Sequence, residues 1–455
     1  MTTLVCIPSA APTTSVRTHG AFNGAESLVR ADGRGSASWR RVKALLALMC
    51  VSGALAGALT ACSPSPAGSS PDAGATDAAP VVDAAPEDRG ELRAVWITRF
   101  AYSTQAQLEA IIDRAAAANF NAVFVQIRGE GDAFYRSSVE PWSRLLTGTL
   151  GRDPGWDPLQ VAIDRAHGHG MELHAYFNVL SAWSASVPLP HAEGSVQHAL
   201  YAHPEWLAVR SNGTNGDSEY RWFSPGIPEA RAHIVAAATD LLRSYEVDGL
   251  HLDRIRTPGP DYSRDPITLA RFDEARAQMP SLTFAEFMRA QVDAMVAELH
   301  AAVLATRPSV RLTAAVWGIH TPLPGCSTSK GFADYHQDSL GWLQQGIIDA
   351  IVPMMYWSIE PGACTDWSAL LDGFVAGRGD RQIWAGMHAL DDNTWDFAQV
   401  RARIERSREV DAHGVAVYAS SYLDADPARW SAFVGTVEEP GPFAEPAPTP
   451  TMSWK

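Results

Sequence analysis

From residue 91 onward, short apolar runs rich in β-branched side chains alternate with longer stretches whose apolar positions recur at helical spacing. The short runs predict strands at 93–99, 122–128, 172–178, 249–255, 311–317, 350–356, 382–389 and 414–420. Segments 105–118, 159–169, 228–245, 284–305 and 397–411 predict amphipathic helices between them. The strands are almost continuously apolar, as expected where helices cover one face of a sheet and a packed interior fills the other. Eight such units in sequence predict a single (β/α)8 TIM barrel with long βα loops.

Polar residues in this pattern collect where the predicted strands end. They are Trp96 and Arg99; Gln126, Arg128 and Glu130; His174, Tyr176 and Asn178; His251 and Asp253; Trp317; Tyr356; His388 and Asp391; then Tyr418 and Ser420. The opposite ends are mostly small or apolar turns. Gathering polar groups on one rim above an apolar barrel is costly unless they meet a ligand. Barrel enzymes keep their chemistry on that C-terminal rim. The stretch from Val247 to Arg256 is the clearest case. It reads as a short buried strand delivering Asp253 into a loop closed by Thr257, Pro258, Gly259 and Pro260. An Asp at a strand end also serves as a helix cap, and that reading stands beside the functional one. The connections 129–157 and 178–228 are long for a compact domain, and loops of that length are usually functional.

Composition changes the picture at the ends of the chain. Arg40, Arg41 and Lys43 precede an uncharged run, 44–59, and then Leu59-Thr60-Ala61-Cys62. This pattern predicts a leader over 1–61, and the tetrad resembles a bacterial lipobox in which Cys62 is lipidated. A plain secretory peptide is the alternative. Residues 62–89, mostly Ala, Pro, Ser, Gly and Asp, read as a flexible tether, and 438–455 as a disordered tail, which leaves 90–437 for the barrel. A net charge of -15 speaks against nucleic acid or an anionic membrane surface as partner. Fifteen tryptophans and eleven tyrosines suit sugar rings, with ordinary core packing as the alternative for many of them. Of five cysteines, Cys326 and Cys364 fall within the barrel. They follow the fifth and sixth strands on the same rim, and in an exported protein they predict a disulfide, with two free thiols as the alternative.

These blocks resemble the bacterial glycosyl-hydrolase-like family 10 lipoproteins. The likeness runs through Glu91 to Thr98, Asn119 to Arg128, Gly131-Asp132-Ala133, Tyr135 and Glu140-Pro141-Trp142-Ser143. It continues through Gly155 to Leu159, His174-Ala175, Phe177-Asn178, Val247 to Asp253 and Ile351 to Trp357, spanning 91–420. The resemblance implies a lipid-anchored glycosidase, with peptidoglycan glycan strands as the best-known substrate; Ser63, rather than Asp, just after Cys62 resembles the sorting signal for the outer membrane in two-membrane bacteria. The chain departs from the pattern in carrying Arg254 where many relatives have a second acid. Its fifth strand also ends in Trp317-Gly318, without a carboxylate.

Glycoside hydrolysis takes two carboxyl groups, one of them protonated, about 5 Å apart for retention and about 6.5–9.5 Å for inversion. Asp253 is the first candidate, with Arg256 nearby to hold it ionised. Glu130 and then Asp132 are the candidate partners, followed by Asp391. Asp248 belongs to the opposite barrel end and is structural, and Glu140 reads better as a loop anchor than as an acid. The expected substrate contacts are Trp96, Arg99, Gln126, Arg128, His174, Tyr176, Asn178, His251, Arg256, Trp317, Tyr356, Trp357 and Asp391. No cofactor or metal is expected. The histidines lack the His-x-His of metal-dependent barrels on the first strand, and neither a phosphate loop nor a Gly-x-Ser-x-Gly elbow is present. A polysaccharide substrate, membrane attachment through the lipid and a monomeric state complete the reading. A carbohydrate-binding lipoprotein without catalysis is the alternative.

Overall fold

The computed structural model describes residues 90–360 and 362–455. The expected leader, the tether and Cys62 lie outside the described residues. The strands are β1 (Leu92–Ile97), β2 (Ala122–Arg128), β3 (Glu172–Asn178), β4 (Ser181–Ser184), β5 (Tyr220–Trp222), β6 (Gly249–Asp253), β7 (Arg311–Trp317), β8 (Ala350–Met354), β9 (Gln382–Ile383), β10 (Ala385–His388) and β11 (Gly414–Tyr418). One parallel sheet runs β10-β11-β1-β2-β3-β6-β7-β8-β9, and a further pairing of β8 with β10 closes it into a barrel. The predicted seventh strand is therefore present but split into β9 and β10 around Trp384. The remaining strands, β4 and β5, form an antiparallel hairpin in the long connection after β3.

Side chains alternate between the two faces of each strand. Val95, Val123, Val125, Leu173, Leu250, Leu252, Leu312 and Ile351 face outward into the core shared with the helices. Several of those helices start on acidic or hydroxyl caps. Thr104 and Thr283 form capping boxes, and Asp157, Asp265, Asp366 and Asp396 accept backbone N–H groups of the first turn. A cap of this kind contributes about 1 kcal/mol.

Facing inward, Trp96, Phe124, Val352, Trp384 and Ala416 fill the barrel. Two histidines share this interior. The Trp96 indole donates to His251 Nε2 at 3.1 Å, and His251 Nδ1 lies 2.9 Å from Thr313 Oγ1. This pairing places the His251 proton on Nδ1. Burial, reinforced by His174, lowers the His251 pKa to about 3, so the ring is neutral. It stacks on Phe124 at 4.2 Å. Gly249 makes room for His174, because a Cβ there would lie 2.2 Å from the His174 ring.

The N-terminal end of the barrel holds a correction. Residues 438–455, expected to be loose, pack against this end. Glu91 N–H donates to Pro448 O at 2.9 Å, Asn121 Nδ2 to Ala447 O at 2.9 Å and Gln382 Nε2 to Thr451 O at 2.8 Å. Phe443 is fully buried, and Met452 and Trp454 join the apolar interior. Asp349, itself 3% exposed, accepts from the Trp454 indole at 2.7 Å and pairs with Lys455 at 2.9 Å. A Pro- and Ala-rich segment gives no periodic signal. Its backbone carbonyls nevertheless satisfy buried amides, and a few spaced aromatics supply the anchors. At the same end, Asp248 accepts the Leu173 N–H at 2.8 Å, the structural role expected of it.

Candidate active site

The mouth of β6 is built around Asp253. Its carboxylate accepts the Tyr176 hydroxyl at 2.7 Å and the Arg254 N–H at 2.6 Å, and Arg256 lies 3.6 Å away. The second of these contacts depends on Arg254 adopting φ +54°, a left-handed conformation uncommon outside glycine. Burial works to raise the Asp253 pKa. Arg254, Arg256 and the Tyr176 hydrogen bond outweigh it and leave the group below its ordinary value. Asp253 is thus an ionised carboxylate on a floor of buried side chains, ready to accept a proton or stabilise positive charge.

The mouth of β2 is built in the opposite sense. Glu130 is 1% exposed and Asp132 fully buried. Asp132 Oδ1 accepts the Glu130 N–H at 3.0 Å, and Arg144 pairs with Glu130 Oε1 at 3.1 Å. Burial first, then the charge of Asp132, raises the Glu130 pKa to about 7, against the pull of Arg99 and Arg144. A carboxyl group in that range carries a proton for part of the time at neutral pH, as a general acid requires. The two mouths are linked by the hairpin. Arg99 Nη2 donates to the Tyr220 hydroxyl at 3.0 Å, and the Arg254 guanidinium lies 5.1 Å from the Tyr220 ring.

Around Asp253, several expected contacts fall together. Tyr176 touches it directly, and Arg256 sits 5.7 Å from the half-exposed Trp317 ring. Tyr356 stacks on Tyr418 at 5.4 Å, and burial and Asp253 both raise the Tyr418 pKa. Trp357 is partly buried beside Gly318. Cys326 and Cys364 are bridged, with Cα atoms 5.5 Å apart, tying the loops after β7 and β8.

Other expected contacts are placed elsewhere. Trp96, His174 and His251 lie inside the barrel, not on its rim. They share the inward face with the rim residues but sit deeper along their strands, and strand periodicity does not report depth. His174 bonds to Glu172 at 3.0 Å, toward the N-terminal end. Arg128 is also no rim contact. A register irregularity between Gln126 and Arg128 turns it away, onto Phe177 at 4.8 Å and into a fully buried ion pair with Glu140 at 2.6 Å. Glu140 is accordingly the anchor of its loop. Asn178 donates to Gly129 O at 3.0 Å and Gln126 accepts the Arg99 N–H at 3.1 Å, so both shape the strand ends. Asp391 is tied to Arg403 at 2.7 Å.

The hairpin carries what periodicity missed. Glu219 pairs with Arg254 at 2.9 Å, bringing another, more exposed carboxylate to the β6 mouth. The only sequence signal was the length of the loop that holds it. Among the described residues, no cluster of three or more His, Cys, Asp or Glu side chains could hold a metal ion.

A closed parallel barrel with carboxylates and arginines on its C-terminal rim is, by fold, a (β/α)8 TIM barrel. The profile of the glycosyl hydrolase-like 10 family matches residues 91–370, and the chain belongs to that family. It is 31% identical over 299 residues to glycosyl hydrolase YngK of Bacillus subtilis, covering 62% of this chain and 56% of the relative. Identity to glycosyl hydrolase DigH of Escherichia coli is 29% over 277 residues, covering 57% and 60%. The match therefore spans little more than half the length of these relatives. Among solved structures, the PgaB (BpsB) glycoside hydrolase domain from Bordetella bronchiseptica is similar at a TM-score of 0.54 and 18% identity, covering 75% of this chain and 97% of that one. The catalytic domain of β-amylase from Paenibacillus polymyxa gives 0.52 at 11% identity, with 74% and 94% covered. At such identities the likeness is one of fold.

Proposed function

We propose that this protein is a glycoside hydrolase acting on a polysaccharide, with Asp253 as the ionised carboxylate and Glu130 as the proton-bearing partner. The observation that carries this reading is the opposite tuning of the two groups. Paired arginines and a tyrosine hold Asp253 below the usual carboxylate range, while burial beside Asp132 lifts Glu130 to about 7. Two carboxyl groups pushed apart in this way match the division of labour between base or nucleophile and acid. Tyr176, Arg256, Trp317, Tyr356 and Trp357 supply the walls and hydroxyl contacts of the cleft. Peptidoglycan glycan strands are the substrate we propose, in keeping with the family and the aromatic walls. The test is turnover of purified glycan strands, with and without stem peptides. Asp253→Asn and Glu130→Gln should each lower kcat by about 10²-fold or more with folding unchanged. Wild-type turnover by either variant removes that residue from the mechanism.

A second reading, a sugar-binding protein without turnover, is favoured by the near-complete burial of Glu130 beneath Arg144 and by the absence of a carboxylate at the end of β7. Binding of oligosaccharide with no bond cleavage selects it. We further propose that Cys62 is acylated and anchors the protein to the outer membrane of the cell envelope, as a monomer. Membrane fractionation of Cys62→Ala tests the anchor, which fails if the variant still sediments with membranes.

A further inference from the structure

We propose that Phe100 is a carbohydrate-stacking platform at the β1 edge of the mouth, which, with Trp317 opposite, seats a polysaccharide chain across the barrel. The proposal rests on the reading of the mouth as a polysaccharide site and adds how the chain lies in it. Phe100 is 68% exposed, whereas every other Phe, Tyr and Trp among the described residues is buried or partly buried. A lone exposed apolar side chain is ordinary on a protein surface. Phe100 differs in being held in place. The Arg99 guanidinium lies over its ring, 4.6 Å from the centroid. Arg99 is itself 3% exposed and bonds through Nη2 to the Tyr220 hydroxyl. The backbone is pinned on both sides of Phe100: the Arg99 N–H donates to Gln126 Oε1 at 3.1 Å, and the Ala101 N–H to Thr98 O at 2.9 Å. A flat apolar ring backed by a buried cation, with most of its surface in water, suits the apolar C–H face of a sugar.

The position of Phe100 supplies a second, independent argument. With the split β9 and β10 counted as one strand, β1 and β7 are four places apart in a closed ring of eight and face each other across the mouth. Trp317 ends β7 and is held in the same way: Tyr335 packs against its ring at 4.3 Å, and its indole donates to Ser329 O at 2.9 Å. Arg256, 5.7 Å from that ring, lies 3.6 Å from Asp253, so Trp317 belongs to the Asp253 side. Phe100 belongs to the β2 side. The Arg99 side chain beside it lies so close to the start of the next loop that a Cβ at Gly129 would be 2.6 Å from Nη1. One way round from β1 to β7, the strand ends and the first loop residues carry Glu130, Tyr176 and Asp253; the other way they carry Tyr418, His388 and Tyr356. A chain laid from Phe100 to Trp317 therefore runs with the candidate carboxyl groups along one flank and aromatic side chains along the other. Sugar units then lie on both sides of those carboxyl groups, and the bond cut is an internal one.

Calorimetric titration of the protein with a disaccharide and with an octasaccharide of the peptidoglycan glycan reads the platform without reference to turnover. The wild type should bind the octasaccharide more tightly. Phe100→Ala should weaken octasaccharide binding about 3- to 10-fold, the loss of one aromatic contact, and leave disaccharide binding unchanged. Phe100→Trp should restore the octasaccharide affinity. Phe100→Leu, which still covers Arg99 but offers no flat face, should not. Octasaccharide affinity within experimental error of wild type in Phe100→Ala overturns the proposal. So does an equal loss for both lengths, full affinity in Phe100→Leu, or a wild type that binds the octasaccharide no better than the disaccharide. Turnover of glycan strands, measured separately, divides the two readings. Cleavage with no dependence of binding on Phe100 keeps the hydrolase and removes the platform, whereas Phe100-dependent octasaccharide binding without cleavage keeps the platform and removes the hydrolase.

Discussion

Replacing Tyr176 by Phe removes one hydroxyl from the mouth of β6 and leaves the ring that packs beside His251. That hydroxyl donates to Asp253 Oδ2 at 2.7 Å, from a side chain only 7% exposed, so water cannot readily take its place. A hydrogen bond to a charged group contributes about 1.5–3 kcal/mol. If that amount is realised while Asp253 is ionised in the transition state, kcat/KM at neutral pH falls about 10- to 100-fold. The pH dependence follows from the same contact. Burial, the largest influence on Asp253, opposes ionisation, so losing a donor raises its pKa and moves the acid limb of the profile to higher pH. A depressed carboxylate pKa stabilises the fold above the unfolded value, about 3.9, and that contribution disappears as pH falls through the folded value. The stability lost in Tyr176→Phe should therefore be larger at pH 7 than at pH 3. Reducing-end release from glycan strands across pH, with urea denaturation at both pH values, measures both effects. Turnover within threefold of wild type and an unmoved acid limb would refute the idea that Tyr176 holds Asp253 for chemistry.

Two further variants probe what holds the site in place. Arg128→Met strips the cation from the fully buried Glu140, whose carboxyl is held at about 2 against burial chiefly by Arg128; a loss of about 3–5 kcal/mol in denaturant unfolding at pH 7 is expected, shrinking as Glu140 becomes protonated at low pH, and a loss below 1 kcal/mol at pH 7 contradicts this. Deleting residues 446–455 removes Trp454 and Lys455 from the buried Asp349, takes one of its two carbonyl acceptors from the Asn121 amide and removes the Thr451 acceptor of the Gln382 amide; the truncated protein should unfold at lower urea concentration, and an unchanged midpoint would show that the tail adds nothing to the barrel.

What the sequence by itself determined was the barrel and the order of strands and helices that build it. Eight apolar strands separated by amphipathic helices admit few other arrangements, because each apolar face must be buried and parallel strands require crossover connections. Asp253, Glu130 and Asp132 were legible because a strand end followed by a polar loop is a local pattern, and Asp248 was correctly set at the other end for the same reason. What only the tertiary structure decided was depth, aim and company. His251 and Trp96 occupy the inward face as their period implies, yet they lie within the packed interior, since alternation specifies a face and not a distance from the rim. Arg128 left the interior at a register irregularity that no residue type announces. Glu219 and Tyr220 reached the mouth of β6 because a hairpin folds back across it, a contact between residues more than thirty positions apart. The tail docked through isolated aromatics and backbone carbonyls, groups whose value depends entirely on what lies opposite them. Local pattern fixes which groups are available, and the opposing pKa shifts of Asp253 and Glu130 arise from burial and neighbouring charge that only the folded chain brings together.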